Sequence, residues 1–351
     1  MRILYLGPLW LGGTCLQRME AMQDLVHEIV PVDTEPEKIR DRQNRLFQRV
    51  RRRLLGPLDL AGANQRICQL IKKSFFDLIW LDKGLTIAPK TLRFVRQISP
   101  KTIIAGYSPD DMSQKHNQSR VFLRGIRLYH VFFTTKSYGV KELEALGLPR
   151  VVFVGNAYDS NTHRPMKISE EEKKQFGGPV GFIGDFEIER AQFMYYLAQH
   201  GISVRIWGPN WDRKCRLSHP NMRIEGKPLW GDDYAKAICS FVINLVFLRK
   251  ANRDLQTQRS IEIPACGAFM LAERTDEHLE LFEEGKEAEF FSTKKELLEK
   301  VSYYLSHSEE REQIAQAGRE RCLKSRYSNQ ERIKEMIRIV ENLRRKKLGE
   351  F

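Results

Sequence analysis

The chain of 351 residues is too long for one ordinary hydrophobic core, and its 42% apolar residues suffice for two domains of roughly 150 residues each. It has no apolar run near the roughly 20 residues that span a bilayer, no signal-peptide pattern at the N-terminus, and no zinc-type spacing among its six cysteines and eight histidines, so we expect a cytoplasmic protein without a metal site. The net charge of +13 favours a polyanionic partner such as nucleic acid, an anionic membrane or a phosphate-bearing substrate.

Short apolar runs alternate with helical patterns through the first half of the chain. We predict strands at Ile3–Leu6, Glu28–Val32, Asp77–Leu81, Thr102–Gly106, His130–Thr134 and Val151–Val154, and helices at Cys15–His27, Gly62–Phe75, Pro89–Ile98 and Ser137–Leu146. Alternation of this kind indicates a parallel sheet wrapped by helices. Residues 1–156 are therefore predicted to form a Rossmann-like domain.

Glycine-rich and acidic loops follow several of these strands, at the edge where α/β sheets collect functional groups. Gly13 lies in a loop that opens a helix, which makes its backbone a candidate contact for an anion or a second substrate. An acidic loop begins at Asp82, and another contains Asp110 and Asp111. Asp110 or Asp111 is a candidate general base for a substrate hydroxyl, although adjacent aspartates in a turn also serve as caps.

Residues 38–55 concentrate positive charge. Lysine and arginine alternate there with apolar residues, at Lys38, Arg40, Arg42, Arg45, Arg49, Arg51, Arg52 and Arg53. Such an amphipathic pattern fits a helix that rests on anionic lipid headgroups at the inner face of a membrane. A solvated helix packed on its own domain is the alternative.

The periodic pattern is lost over residues 157–179, which we interpret as a linker. It resumes over 180–327 with predicted strands at Val180–Ile183, Ser203–Trp207, Met222–Ile224, Phe241–Val246, Ala268–Leu271 and Glu289–Phe291, and with helices at Ile188–His200 and Asp232–Cys239. This half is predicted to be a second Rossmann-like domain. Residues 328–351 are predicted to form a C-terminal helix with a basic tail.

The segment Gln258–Glu273 is the most informative part of the sequence. It opens as a short helix, is expected to stop at Gly267 and leads directly into the apolar run at Ala268–Leu271. A carboxylate near a helix start accepts hydrogen bonds from ribose hydroxyls, and a nearby guanidinium offsets the charge of a diphosphate. Glu262 is the candidate for the first role and Arg259 for the second.

The run Glu262–Gly267, with the acidic Asp254 eight positions upstream, resembles the donor-site motif of GT-B glycosyltransferases of the family 4 type. The wider segment Gln258–Glu289 is similar to the spore-maturation, CgeB-like branch of these enzymes. The resemblance departs at Asp254, where the family 4 pattern has Glu. It implies a GT-B fold, in which two Rossmann-like domains face each other across a cleft and a C-terminal helix crosses back to the first.

The resemblance also implies which residues hold the substrates. The donor would be a nucleoside-diphosphate sugar, with Glu262 on the ribose and Asp254 on the sugar or as a catalytic group. The first turn at Ser260, the glycine loops at Gly184 and Gly208, and the arginines Arg190 and Arg259 would serve the diphosphate. Gly13 would also belong to the donor-binding residues, and Asp110 or Asp111 would act on a glycan, lipid-linked or protein acceptor.

The implied activity is a hexosyltransferase that works in the interdomain cleft, retains anomeric configuration and needs neither metal nor cofactor. Two alternatives belong to other classes. A basic nucleic-acid-binding protein would use the arginine-rich segment 40–53, although the sequence lacks a nucleic-acid-binding motif, and we expect no nucleic-acid partner. A catalytically inactive GT-B scaffold that binds glycans is the other alternative.

Overall fold

Two six-stranded parallel β-sheets organise the chain, each in its own unit. The computed structural model describes residues 1–38 and 57–349. The first unit comprises Met1–Gly155 and Asn329–Phe351, and the second comprises Asn156–Ser328. The predicted basic segment 38–55, and with it the proposed membrane contact, lies outside the described residues except for Lys38.

The sheet of the first unit has the strand order β2-β1-β3-β4-β5-β6. Its strands are β1 Arg2–Gly7, β2 Glu28–Asp33, β3 Leu78–Asp82, β4 Ile103–Ser108, β5 Val131–Thr134 and β6 Val151–Phe153, all paired in parallel. The α-helices described in this unit are Thr14–Gln23, Ala63–Lys73, Pro89–Ile98, Arg120–Gly125, Gly139–Ala145 and Asn329–Leu348. Because the order reverses between β1 and β3, the crevice at their carboxyl ends is the place where such a sheet binds ligands.

Side chains alternate between the two faces along each strand, so each face of this sheet has its own hydrophobic core. Leu4 and Ile79 point to the face covered by Ala63–Lys73 and Pro89–Ile98. Tyr5 and Trp80 point to the other face, where the C-terminal helix supplies Ile333, Met336, Ile337 and Val340. The C-terminal helix therefore packs on the first unit although it follows the second in sequence, as the resemblance implied.

The sheet of the second unit has the order β12-β11-β10-β7-β8-β9. Its strands are β7 Gly178–Ile183, β8 Val204–Trp207, β9 Met222–Ile224, β10 Phe241–Val246, β11 Met270–Glu273 and β12 Glu289–Phe291. Counted from β7, this is the dinucleotide-fold order 3-2-1-4-5-6, whose ligand crevice lies between the first and fourth strands. The crevice in this unit is therefore expected where β7 and β10 end.

Helices cover both faces of the second sheet. The helices of this unit are Glu170–Phe176, Ile188–Gln199, Trp211–Lys214, Gly231–Ser240, Arg259–Ala265, Asp276–Leu281, Lys294–Ser306 and Ser308–Lys324. One core gathers the inward side chains of Gly231–Ser240 and Arg259–Ala265 with Phe290, and the other gathers those of Ile188–Gln199 and Lys294–Ser306 with Phe182.

The predicted fold class, two α/β units built on parallel sheets, is confirmed. Several element bounds differ from the sequence prediction, and two of the differences have a clear local cause. Residues 157–179 belong to the second unit, and a Ser169–Glu172 capping box starts the helix Glu170–Phe176 within them. The predicted strand Ala268–Leu271 begins two residues later, at Met270, because the Ala268 N–H bonds to the Ile263 carbonyl and completes the preceding helix end.

No helix in the described part of the chain combines the length and the apolar character needed to cross a bilayer. Among residues 1–38 and 57–349, the search for three or more His, Cys, Asp or Glu side chains grouped as metal ligands found none.

Candidate functional site

The short helix Arg259–Ala265 begins beyond the carboxyl end of β10, beside the ligand crevice expected in the second unit. It contains Pro264 and ends where Gly267 adopts a left-handed conformation at φ 69°. The Gly267 N–H bonds to the Pro264 carbonyl at 2.8 Å. A residue with a Cβ is strained at that φ, so the sequence Cys266-Gly267 fixes where the helix stops, as predicted.

Glu262, in the first turn of this helix, is 6% exposed. The Tyr234 hydroxyl, from helix Gly231–Ser240, donates to its Oε2 atom at 2.6 Å. Its Oε1 atom lies 3.8 Å from His163 Nε2, which is too far for a hydrogen bond, and accepts no hydrogen bond from the described residues. Glu262 therefore keeps open acceptor positions on a carboxylate held in a fixed place.

Burial, and then the Glu262 charge, raises the pKa of Tyr234 well above its ordinary value. Tyr234 is therefore a permanent hydrogen-bond donor to the carboxylate. His163 accepts a hydrogen bond from the Asp159 N–H at Nδ1, which leaves Nε2 as the protonated nitrogen of the neutral ring, on the side of Glu262. Sequence reasoning missed both residues because they are distant in sequence from the motif.

Ser260 is fully buried, and its hydroxyl is part of a chain of hydrogen bonds. The Thr257 N–H donates to Ser260 Oγ at 3.1 Å, and Ser260 Oγ lies 2.7 Å from His278 Nε2. His278 Nδ1 lies 2.7 Å from the Glu273 carbonyl oxygen, which can only accept. His278 therefore carries its proton on Nδ1, and Nε2 accepts from Ser260. The predicted Ser260 side chain thus anchors the helix start internally.

Cationic side chains collect at the same edge of the sheet. Arg190, near the start of the helix after β7, is 4% exposed, and its Nη1 donates to the Asp185 carbonyl at 3.0 Å. Burial, and then repulsion from Arg259, lowers the pKa of Arg190 to about 10. The two predicted arginines are thus close enough for their charges to repel each other.

Each of the two arginines also has one buried N–H group without an acceptor in the part of the chain that the structure describes. The Nε atoms of Arg190 and Arg259 are buried and have no hydrogen-bond partner within the described residues. Glu187 partly balances the cluster, since its Oε1 lies 3.5 Å from Arg190 and 3.6 Å from Arg249. Buried guanidinium N–H groups without acceptors cost free energy, and phosphate oxygens are the acceptors that suit them best.

Gly184 and Gly208, the two predicted glycine positions, touch each other. A Cβ on Gly208, which has φ 148°, would lie 1.8 Å from the Gly184 carbonyl oxygen. The Gly184 N–H donates to Trp207, and the Gly208 N–H donates to Lys227. Both amides are therefore used within the protein, and the two glycines let the loops after β7 and β8 pack together.

Asp254 lies in the loop between β10 and the helix Arg259–Ala265, and it is partly exposed. Its N–H bonds to the Arg249 carbonyl at 3.3 Å, just after Arg253 takes a left-handed conformation at φ 50°. The structure thus places Asp254 in the loop that carries the cationic Arg249, on the same sheet edge as Glu262.

The first unit has its own cavity, of about 350 Å³, at the end of the crevice between β1 and β3. Gly13, Lys83 and Asp110 all line it, and Lys83 Nζ lies 3.1 Å from Asp110 Oδ2. Gly13 starts the helix Thr14–Gln23 without a side-chain cap, and its own N–H bonds to the Trp10 carbonyl. Gly13 and Asp110 therefore line one cavity of the first unit, whereas the other residues predicted to bind the donor lie in the second unit.

Asp111 occupies a different environment from Asp110. It is 1% exposed, and its Oδ1 accepts hydrogen bonds from the backbone and hydroxyl of Ser113. Asp82 is also buried and is held by Arg18 through two hydrogen bonds of 2.7 and 3.1 Å. Of the acidic residues predicted beside this sheet, Asp110 is the one that lines the cavity.

Residues 190–338 match the family model described as glycosyl transferase-like. The matched segment is less than half of the chain and contains Arg190, Asp254, Arg259 and Glu262. A search of curated protein sequences found no match. The family 4 or CgeB-like branch of the resemblance is not resolved by these comparisons.

Solved structures share the fold over nearly the whole chain. Anabaena HepE (Alr3699), determined with UDP and glucose, is 13% identical, with a TM-score of 0.62 over 97% of this chain and 100% of that one. Sucrose-phosphate synthase from Thermosynechococcus elongatus is 10% identical, with a TM-score of 0.65 over 98% and 99%. A glycosyltransferase from Rickettsia africae is 11% identical, with a TM-score of 0.63 over 97% and 98%. At these identities the likeness establishes the GT-B fold.

Proposed function

We propose that the chain is a glycosyltransferase that moves a sugar from a nucleoside-diphosphate sugar, held by the second unit, to a hydroxyl group of an acceptor held by the first. The observation that carries the proposal is a buried carboxylate, Glu262, with open acceptor positions, on the same crevice as the buried Arg190 and the partly exposed Arg259, each of which has a buried Nε without an acceptor in the described part of the chain. A ribose diphosphate presents hydroxyl donors and anionic acceptors, which is the complementary set.

UDP is the first candidate nucleotide, because the Anabaena structure of the same fold was determined with UDP, and a second structure of that protein with UDP-glucose. In our proposal, Glu262 accepts hydrogen bonds from the ribose hydroxyls, and Tyr234 keeps the carboxylate in place. Arg190 and Arg259 face the diphosphate. Asp254, on the loop after β10, contacts the transferred sugar or acts on it.

As the glycosidic bond breaks, negative charge develops on the departing diphosphate. Fixed guanidinium groups stabilise that charge without reorganising, and we propose that Arg190 and Arg259 supply this stabilisation in place of a divalent ion. Asp110, at 3.1 Å from Lys83, orients the acceptor hydroxyl or removes its proton. The likeness of Glu262–Gly267 to the family 4 motif supports retention of configuration.

A thermal-shift screen followed by a turnover assay tests the proposal. UDP, GDP, dTDP, ADP and CMP are added in turn, with their sugar derivatives, and a ligand at a hundredfold its dissociation constant should add about 2.7 kcal/mol of stability. We expect one nucleoside diphosphate and its sugar to raise the melting temperature, and that donor to release free nucleotide in the presence of a glycan acceptor. A protein that no nucleotide stabilises is not such a transferase, and binding without release identifies an inactive scaffold.

A further inference from the structure

A cavity of about 320 Å³ in the second unit is lined by two cysteines that the proposed reaction does not use. Cys239 lies near the end of helix Gly231–Ser240, and Cys266 directly follows helix Arg259–Ala265. Cys239 Sγ lies 3.8 Å from the Cys266 carbonyl oxygen, and both cysteines line this cavity. Cys239 is partly exposed, whereas Cys266 is 2% exposed.

The two helices that end at these thiols are the two that form the carboxylate site. Tyr234 lies five residues before Cys239, and Glu262 lies four residues before Cys266, about one helical turn in each case. The same two helices therefore meet at two places. One is the 2.6 Å contact between Tyr234 and Glu262, and the other is the pair Cys239 and Cys266. About 6 Å of helix axis separates the position of Cys266 from that of Glu262.

We propose that Cys239 and Cys266 form a thiol pair that low-molecular-weight disulfides oxidise to an intramolecular disulfide, and that this disulfide weakens nucleotide binding at Glu262. A disulfide has its sulfur atoms about 2.0 Å apart, closer than two free thiols approach each other. Closing that gap moves one helix end against the other while the Tyr234–Glu262 contact is already at its shortest useful length. The effect on nucleotide binding rests on the proposed function, but disulfide formation does not.

The chemistry proceeds in two exchange steps. The Cys239 thiolate attacks one sulfur of oxidised glutathione, which forms a mixed disulfide and releases one glutathione thiolate. The Cys266 thiolate then attacks the Cys239 sulfur, forms the internal disulfide and releases the second glutathione. Two protein thiols are oxidised and lose their protons to solvent or to the departing thiolates, and one glutathione disulfide is reduced to two thiols.

The environments of the two cysteines assign the order of these steps. Interaction with the Cys266 side chain lowers the pKa of Cys239, whereas interaction with the Cys239 side chain and burial raise the pKa of Cys266. Cys239 is also the more exposed of the two. The attacking group is therefore Cys239, and Cys266 is the resolving group.

Peptide mapping tests the disulfide directly. The reduced full chain is treated with oxidised glutathione, free thiols are alkylated in acid, and linked peptides are identified by mass spectrometry. We expect a Cys239–Cys266 peptide and the loss of two titratable thiols. Cys239→Ser should abolish the link, whereas Cys215→Ser, which removes another partly exposed thiol of the same unit, should leave it intact. A folded chain that forms only mixed disulfides would overturn the proposal.

Nucleotide titration tests the consequence. Oxidation should lower the affinity of the wild-type chain for UDP at least threefold, dithiothreitol should restore it, and oxidised Cys239→Ser should bind as the reduced protein does. A quantitative disulfide with unchanged UDP affinity would overturn the regulatory role. If the reduced chain binds no nucleotide, the proposed function and the regulatory role both fail, and the peptide map still decides whether the thiol pair forms a disulfide.

Discussion

The side chains of Arg190 and Arg259 are the reason why we propose an anion in the crevice of the second unit. Both have a buried Nε without a partner in the described part of the chain, and they repel each other. Either feature alone raises the free energy of the folded protein. A diphosphate would remove both unfavourable terms, because its oxygens accept hydrogen bonds from the Nε groups and its negative charge offsets the repulsion between the two cations.

Replacing Arg259 with Ala should therefore weaken nucleotide binding in a phosphate-dependent way. Loss of a charge-assisted hydrogen bond costs about 1.5–3 kcal/mol, so UDP affinity should fall by roughly 10- to 150-fold. Uridine, which lacks phosphate, should bind both proteins within about twofold. Isothermal titration calorimetry measures both, with Arg223→Ala as the control because Arg223 is an exposed arginine on β9 of the same unit. An equal loss for UDP and uridine would show that Arg259 acts on the fold and not on the diphosphate.

At this scale the sequence predicted the residues that a local motif contains. Glu262 and Arg259 stand in one short helix, so their chemistry and spacing are visible in the linear order. Tyr234 and His163 reach the same carboxylate from segments 28 and 99 positions away, as their residue numbers show. Nothing local distinguishes these two from ordinary amphipathic positions, and only the packing of the helices brings them to Glu262.

Among the elements, the helix Arg259–Ala265 is short and depends on its neighbours. Seven residues do not form a stable helix alone in water. Its first turn is tied through Ser260 to His278 on helix Asp276–Leu281, and His278 stacks on Phe290 with ring centroids 5.6 Å apart. The buried, neutral His278 therefore helps to hold the helix that carries Glu262 in place.

The histidine should make the second unit sensitive to acid. Burial lowers the pKa of His278 from 6.5 to about 4. As the pH falls below 6.5, this histidine becomes protonated in the unfolded chain but stays neutral in the folded chain down to about pH 4. The free energy of unfolding therefore falls by about 3 kcal/mol as the pH is lowered across this window. Denaturant unfolding of wild type and His278→Gln, compared at each pH, isolates this contribution because other titrating groups cancel.

We expect the wild type to lose about 3 kcal/mol more than His278→Gln between pH 6.5 and 4. His307→Gln, a change at an exposed histidine, is the control and should follow the wild type. Parallel curves for wild type and His278→Gln would mean that the ring is protonated in the folded state, and that the Ser260–His278 bond does not hold the helix as described.

Element boundaries were predictable where periodicity or a glycine fixes them. Pro89–Ile98, Met222–Ile224 and Phe241–Val246 have the predicted bounds. The helix Glu170–Phe176 lies within the predicted linker and was not predicted. Its exposed Glu and Lys residues give no apolar periodicity, and only the Ser169 cap marks its start. Short polar helices of this kind are fixed by capping and by contacts with the neighbouring helix, which a single sequence does not display.

For the whole molecule, the two sheets differ in strand order and therefore in the strands between which their ligand crevices lie. The order of the second sheet puts its ligand crevice where β7 and β10 end, beside Arg190 and the loop to Arg259. The order of the first puts its crevice where β1 and β3 end, beside Gly13 and Lys83. Strand order follows from long-range pairing, so the sequence predicted two parallel sheets but not which strand ends meet.

The central claim is that the buried Glu262 carboxylate holds the ribose of the donor nucleotide. Titration calorimetry of the full chain with UDP, for wild type and Glu262→Gln, tests it most directly. Glu299→Gln makes the same charge change on an exposed helix position of the same unit and is the matched control.

We predict that Glu262→Gln lowers UDP affinity at least tenfold, since charge-assisted hydrogen bonds to the hydroxyls are lost, while Glu299→Gln stays within twofold of wild type. The difference between wild type and Glu262→Gln should disappear with 2′,3′-dideoxy-UDP, which lacks those hydroxyls. Equal UDP affinity for wild type and a folded Glu262→Gln protein would contradict the account.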